Sequence, residues 1–266
     1  MSEHAITIGA LRARKGSGPP IAAMTAYDAS LAAVADSAGI DLLLVGDSLG
    51  MVVHGAPNTL AVTVDEVAYH VRCVARGAAR PLVVADLPFA SYPDPVRAFE
   101  SAATLVRAGA AMVKLEGGGH VVPIVEYLVA REVPVCAHLG LTPQAVHRFG
   151  GFRVQARDEA EAARLRADAA ALAAAGASLL VLECVPSGLA TEVGRDVPIP
   201  TIGIGAGAGC DGQILVAQDL LGITRGKRPR FVRDFLAGRG SVEAAIAAYV
   251  AAVRDGSFPS AAESYP

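Results

Sequence analysis

Lysine is scarce in this 266-residue chain: only Lys15, Lys114 and Lys227 occur, and the formal net charge is -3. With no basic block, the electrostatic footprint that grips a phosphate backbone is missing, which argues against a nucleic-acid partner. Cysteine is sparse as well. Cys73, Cys136, Cys184 and Cys210 lie far apart with no Cys-x-x-Cys pair, so neither a disulfide scaffold nor a zinc cluster is expected, and the thiols read as reduced. No apolar run reaches membrane length: residues 167–182 are interrupted by an acid, Gly and Ser, and residues 1–18 carry charges without a continuous apolar core. A cytoplasmic protein away from any membrane is the expectation. No linker or low-complexity segment divides the chain.

What is present is a hydrophobic content of 53%, arranged as short buried runs that end on acids. Residues 41–50 hold four branched apolar residues running into Asp47 and Ser48, the pattern of a parallel strand covered by helices on both faces. The template recurs. Gly109 to Glu116 and Gly176 to Glu183 both read as a helix-stopping Gly, Ala, four residues, then Leu-Glu, and Gly39 to Asp47 repeats it with one residue more. Further strands are expected at 21–25, 81–85 ending at Asp86, 133–137 ending at His138, 200–204, and weakly at 214–216. Helices are expected between them: from Asp28, from the capping box Thr63 to Glu66, from Asp94-Pro95, near Thr142-Pro143, over 158–175 and over 187–194. Residues 49–62 read as a loop, and 232–254 as helices closing the barrel or packing on a neighbour.

Seven strong βα units and a weak eighth predict an α/β fold, a (β/α)8 TIM barrel with C-terminal helices, rather than an open sheet. The whole chain, 1–266, reads as one domain, with 1–20 an N-terminal extension and about 228–266 C-terminal helices and tail. In such a barrel the carboxyl ends of all strands share one mouth. Asp47, Asp86, Glu116, His138 and Glu183 then meet there. Each acid taken alone is equally well the cap of the next helix, but three on successive strands point to a site. Crowded carboxylates need a cation, and oxygen ligands favour Mg²⁺. Lys114, two residues before Glu116 on the same strand face, balances charge and grips an anion; its plainer reading is an ion-paired strand-end lysine. His138 is as readily a hydrogen-bonded strand-end residue as a participant. Glu66 and His70 read as a surface pair. The G-x-G-x-x-G match at Gly207 to Gly212 is late in the chain and lacks a following acid, so a tight loop letting backbone approach a ligand is favoured over a dinucleotide site.

Seven segments then carry a resemblance: Thr25-Ala-Tyr-Asp28, Leu44-Val-Gly-Asp-Ser-Leu-Gly-Met51, Ala85-Asp-Leu-Pro-Phe89, Val113-Lys-Leu-Glu-Gly-Gly118, His138-Leu-Gly-Leu-Thr-Pro-Gln144, Leu182-Glu-Cys-Val-Pro186 and Ile202-Gly-Ile-Gly-Ala-Gly207. In this order they resemble the motifs of the ketopantoate hydroxymethyltransferase family, over nearly the whole chain. The resemblance implies transfer of a one-carbon unit from 5,10-methylenetetrahydrofolate to 3-methyl-2-oxobutanoate, giving 2-dehydropantoate in pantothenate biosynthesis. It also implies Mg²⁺ held by Asp47, Asp86 and Glu116, contacts to the oxo acid from Ser48 and Lys114, Glu183 as catalytic base, and a homodecamer built as a pentamer of dimers. The chemistry agrees: a 2-oxo acid chelates Mg²⁺, which stabilises the enolate formed when C3 loses its proton. Asp47, Asp86 and His138 are counted with the substrate contacts too. Glu183, beside Cys184 and Val185, is expected to be partly desolvated. Two rivals are a Mg²⁺-dependent lyase or mutase of the phosphoenolpyruvate mutase and isocitrate lyase type, whose Lys-Lys-Cys-Gly-His motif is missing here, and a non-catalytic binding barrel.

Overall fold

The computed structural model describes residues 5–224, 226 and 228–266; Lys227 and the first four residues of the expected extension lie outside these. Eight strands follow one another as β1 (Ile21–Thr25), β2 (Leu42–Val45), β3 (Leu82–Asp86), β4 (Met112–Glu116), β5 (Val135–Gly140), β6 (Leu179–Glu183), β7 (Thr201–Ile204) and β8 (Gly212–Leu215). They pair in chain order, all parallel, and β8 closes on β1. This is the expected barrel. Helices cover the outer faces, so strands β1 to β4 are buried at every residue. The repeated template is a true βα unit, because Gly39, Gly109 and Gly176 have φ of +90°, +122° and +98°. Such values are strained for any residue with a Cβ, and each lets the chain leave a helix and enter a strand.

The caps also follow the sequence. Thr63 and Glu66 form a reciprocal capping box, Asp94 caps the helix Pro95–Ala108, and Asp158 caps Glu159–Ala174. Other expectations fail locally. Residues 49–62 are not all loop, since Leu49–Val52 form one helical turn. Thr142 makes no side-chain cap. The eighth strand begins two residues early at Gly212, where glycine and glutamine hide the apolar signal. Within 232–254 only Val242–Arg254 is α-helix; the preceding segment, with Phe235 buried, runs in turns. His70 is half-buried, with Nδ1 2.6 Å from the Tyr27 carbonyl oxygen, and Glu66 is engaged in its capping box, so the simple surface pair is corrected.

The amino end of the barrel is sealed by ion pairs. Asp41, fully buried at the entry to β2, accepts from the Ala22 amide at 3.0 Å. Arg14 Nη1 lies 3.0 Å from it and Arg254 Nη2 3.4 Å, so the segment after the first helix (Ile8–Arg12) and the last helix meet at one carboxylate. On the same end Asp211 holds Lys15 Nζ at 2.8 Å. The last helix also covers the closing seam. Tyr249, fully buried, shares its hydroxyl between the carbonyls of Ala23 on β1 and Gln213 on β8, each at 2.8 Å. Inside the barrel, Leu44, Val84, Cys136, Val181, Ile202 and Ile214 surround the stem of Lys114. This apolar layer forms the floor of the carboxyl-end site.

Candidate functional site

Strand register builds the site. Side chains on neighbouring strands that share a register row and face inward are immediate neighbours. Asp86 on β3 is paired with Lys114 on β4, and Glu116 on β4 with His138 on β5. The contacts follow: Lys114 Nζ lies 2.5 Å from Asp86 Oδ1 and 3.6 Å from Glu116 Oε1. His138 Nδ1 lies 3.2 Å from Glu116 Oε1 and 3.3 Å from Lys114 Nζ, and its Nε2 lies 3.3 Å from Glu183 Oε2 at the end of β6. His138 is thus inside β5 rather than just beyond it. Asp47, past β2, donates its backbone amide to Asp86 Oδ2 at 3.1 Å. Five of the groups, Asp47, Asp86, Lys114, Glu116 and His138, are buried, while Glu183 is the more open one, with 16% of its side chain accessible. Its partial desolvation is therefore slighter than that of the other acids.

Ser48 is held differently. Its hydroxyl lies 2.8 Å from the Tyr27 hydroxyl, which ties it to the segment after β1. His54 is exposed on the following loop. Three groups with no role in the sequence reading complete the site. Gln144 Nε2 donates to Asp47 Oδ2 at 2.9 Å and to the Leu87 carbonyl at 3.0 Å, and its backbone N–H donates to Glu116 Oε2 at 3.0 Å. Tyr92 donates its hydroxyl to Gln144 Oε1 at 2.5 Å. Tyr27 holds Ser48. The only signals were the position of Gln144 at the end of a motif after β5, and of Tyr27 inside another.

The electrostatics show too little positive charge. Burial raises Asp47 well above the usual carboxylate range, and the charges of Asp86 and Glu116 add to it. Burial also raises Asp86, although Lys114 opposes it. Glu116 suffers the same burial, but Lys114 and His138 outweigh it and lower it. Burial disfavours the Lys114 ammonium, yet Asp86, Glu116 and Asp47 hold it charged. Burial and Lys114 both act against protonation of His138, and its contacts with Glu116 and Glu183 overcome them, raising it to about 9.

Among the described residues no three His, Cys, Asp or Glu side chains converge as a ready-made metal cage. The donor set nevertheless fits a hard cation that keeps most of its waters. Asp47 commits only Oδ2 to a described side chain, and the raised Asp47 and Asp86 mark negative charge that one lysine does not neutralise.

The Gly-rich loop packs closely on its neighbour. A Cβ on Gly209 would fall 2.0 Å from Thr191 Oγ1, and one on Gly207 2.5 Å from Ser187 Cβ. These glycines let the loop pack on the helix Ser187–Asp196, a tight loop as expected.

Comparison with known proteins decides the family. A model described as "Ketopantoate hydroxymethyltransferase" matches residues 5–261. The chain belongs to that family. A 3-methyl-2-oxobutanoate hydroxymethyltransferase of Burkholderia multivorans is 58% identical over 99% of this chain and 97% of its own length. One of Cupriavidus taiwanensis is 54% identical with the same coverage. The chain is an enzyme, a hydroxymethyltransferase, which removes the non-catalytic barrel. Among solved structures, phosphoenolpyruvate phosphomutase from Streptomyces platensis subsp. rosaceus superposes with a TM-score of 0.62 at 16% identity, over 82% of this chain and 83% of its own. A phosphonopyruvate hydrolase solved with oxalate and Mg²⁺ gives 0.60 at 15% identity, over 79% and 80%. At such identity the likeness is one of fold. No helix among the described residues is long and apolar enough to cross a membrane.

Proposed function

We propose that this chain transfers a one-carbon unit from 5,10-methylenetetrahydrofolate to 3-methyl-2-oxobutanoate, giving 2-dehydropantoate, with Mg²⁺ held by Asp47, Asp86 and Glu116, directly or through water. The observation that carries the reading is the buried row Asp47, Asp86, Lys114, Glu116 and His138 beside the more open Glu183, in a chain 58% identical to a relative named for this oxo acid. When bound, Mg²⁺ supplies a Lewis acid toward the oxygens of a 2-oxo acid.

The chain's own residues do the rest. Lys114, charged and fixed by its apolar collar, faces the substrate carboxylate, and Ser48, steadied by Tyr27, donates to the same ligand. Glu183 takes the proton from C3, and His138 orients its carboxylate from 3.3 Å. Water hydrolyses the donor's one-carbon unit, breaking both of its C–N bonds so that tetrahydrofolate leaves with both nitrogens protonated and a formaldehyde-level carbon remains. The electron pair left at C3 attacks that carbon, and its oxygen takes the proton held on Glu183 to become the product hydroxyl. Pantothenate biosynthesis, a cytoplasmic location and assembly into a decamer, a pentamer of dimers, belong to the same reading. Light scattering at ten times the 27.1 kDa chain mass is the expected result for the last.

Exchange of the C3 proton in deuterated water tests the base and the metal together. The wild-type protein exchanges 3-methyl-2-oxobutanoate only with Mg²⁺, and Glu183→Gln slows exchange by roughly 10²- to 10⁴-fold, the usual size of a general-base contribution. Exchange by the variant at the wild-type rate removes Glu183 from the role.

A further inference from the structure

The tail of the chain comes back to the mouth of the barrel. The last helix, Val242–Arg254, delivers it to the amino end, where Arg254 meets Asp41. Eleven residues later (265 − 254) Tyr265 lies at the opposite end, beside the exits of β6 and β7. Two arginines hold the return. Arg233 grips Glu263 through Nε at 2.7 Å and Nη2 at 2.6 Å, and Arg230 Nε donates to the Ala262 carbonyl at 2.8 Å. A bidentate pair is the strong geometry for a guanidinium and a carboxylate.

Tyr265, half-buried, lands on the segment that carries Glu183. Its carbonyl accepts the Ser187 amide at 2.9 Å, the first N–H of the helix Ser187–Asp196, whose start has no side-chain cap. Its ring faces Gly205, directly after β7: a Cβ there would stand 3.2 Å from Tyr265 Cε2 and 2.7 Å from Phe231 Cδ1. The Arg230 amide donates to the Tyr265 hydroxyl. Burial raises that hydroxyl, the neighbouring Cys184 thiol adds to the rise, and Glu183 adds a smaller push.

The segment needs such a hold. Cys184, next to Glu183, has φ +47° although it carries a side chain, a left-handed conformation that persists only where surrounding contacts impose it. On the strand side the Cys184 amide donates to the Ile204 carbonyl at 2.9 Å, and its carbonyl accepts the Gln155 amide at 2.8 Å. On the helix side Pro186 offers no N–H, and the Ser187 amide after it goes to Tyr265.

We propose that Tyr265 is a positioning residue for the reaction: the tail is a strap that holds the Cys184–Ser187 turn, and through it the Glu183 carboxylate, where C3 gives up its proton. The inference rests on the reading of Glu183 as the base. His138 orients the carboxylate itself, whereas Tyr265 sets the backbone that carries it. Misplacing a reacting group by about 1 Å costs about 10²-fold in rate, so loosening the strap acts on turnover. Substrate affinity stays with Lys114 and Ser48.

Exchange of the C3 proton of 3-methyl-2-oxobutanoate in deuterated water with Mg²⁺, followed over a range of oxo-acid concentrations on the full chain, tests it. Tyr265→Ala is expected to lower the maximal exchange rate about 10- to 100-fold with KM within about twofold of wild type, the pattern of a contribution made in the transition state alone. Tyr265→Phe, which keeps the ring on Gly205, is expected to recover the rate to within about threefold. A wild-type maximal rate in folded Tyr265→Ala, or a fall carried by KM alone, overturns the strap. If Tyr265→Ala melts below the assay temperature, Arg233→Met decides in its place. It frees Glu263 without touching the mouth; a lowered maximal rate supports the strap and an unchanged one overturns it. Glu183→Gln measured alongside separates the two failures. Exchange by that variant at the wild-type rate removes the base reading and the strap with it, whereas its loss of exchange with Tyr265→Ala unimpaired removes the strap alone.

Discussion

Lys114 Nζ stands 2.5 Å from Asp86 Oδ1, a distance set by the β3–β4 register rather than by any loop. The ammonium and the proposed cation therefore serve the same carboxylate, and each limits how much negative charge the other leaves.

Replacing the lysine tests that balance. Lys114→Met keeps the stem's packing but leaves Asp86 and Glu116 without their buried partner. A loss of about 3–5 kcal/mol is expected without metal, the size seen when one member of a buried pair is removed. Millimolar Mg²⁺ should restore part of it, because a ligand that binds only the folded state adds about 2.7 kcal/mol at a hundred times its Kd. Denaturant midpoints with and without Mg²⁺ read both effects, and a variant as stable as the wild type without metal contradicts the pairing.

Gln144 bridges Asp47 and Glu116, and Tyr92 fixes which way its amide points. Gln144→Leu should cost about 1–3 kcal/mol of stability by leaving buried acceptors unmet. Tyr92→Phe frees the amide to turn and should weaken Mg²⁺ binding while changing the melting point less. Isothermal titration with Mg²⁺ on both variants decides. Wild-type metal affinity in Gln144→Leu removes the amide from the site.

The amino end has its own pH response. Partial burial opposes the charge on Asp211, but Lys15 and the Thr201 and Gly16 amides outweigh it and hold the carboxyl below its usual range. A group whose folded pKa is depressed stabilises fully above its unfolded value, about 3.9, and loses that contribution as pH falls through the folded value. Asp211→Asn should therefore lower the melting point at pH 7, with the gap to wild type closing below about pH 3.9. A gap that stays constant down to pH 2.5 contradicts the linkage.

The barrel was legible because its signals are local and repeated. Gly39, Gly109 and Gly176 stop helices, apolar runs follow, and Asp47, Glu116 and Glu183 end them, so the mouth could be assembled on paper. Gln144 and Tyr92 were not legible. An amide in a single 3-10 turn and a phenol in an irregular segment have no period, and their roles exist only once the segments after β5 and β3 fold over the ends of β2 and β4. Gly212 and Gln213 concealed the start of β8 for a related reason: the strand is short, and its pairing with β1, not its own composition, makes it a strand.

Asp41 joins Arg14 to Arg254, 240 residues apart along the chain. On the ribosome Asp41 and Arg14 emerge early, at a pace of about 5–20 residues per second, and Arg254 only after another 213 residues, counted from Asp41 to Arg254 (254 − 41). Until then β1 lacks the Tyr249 clamp over its seam with β8, and the carboxylate lacks its final cation. The β1–β8 seam is thus covered by a helix made after both of its strands, so this join gains its outer seal later in synthesis than any strand of the barrel.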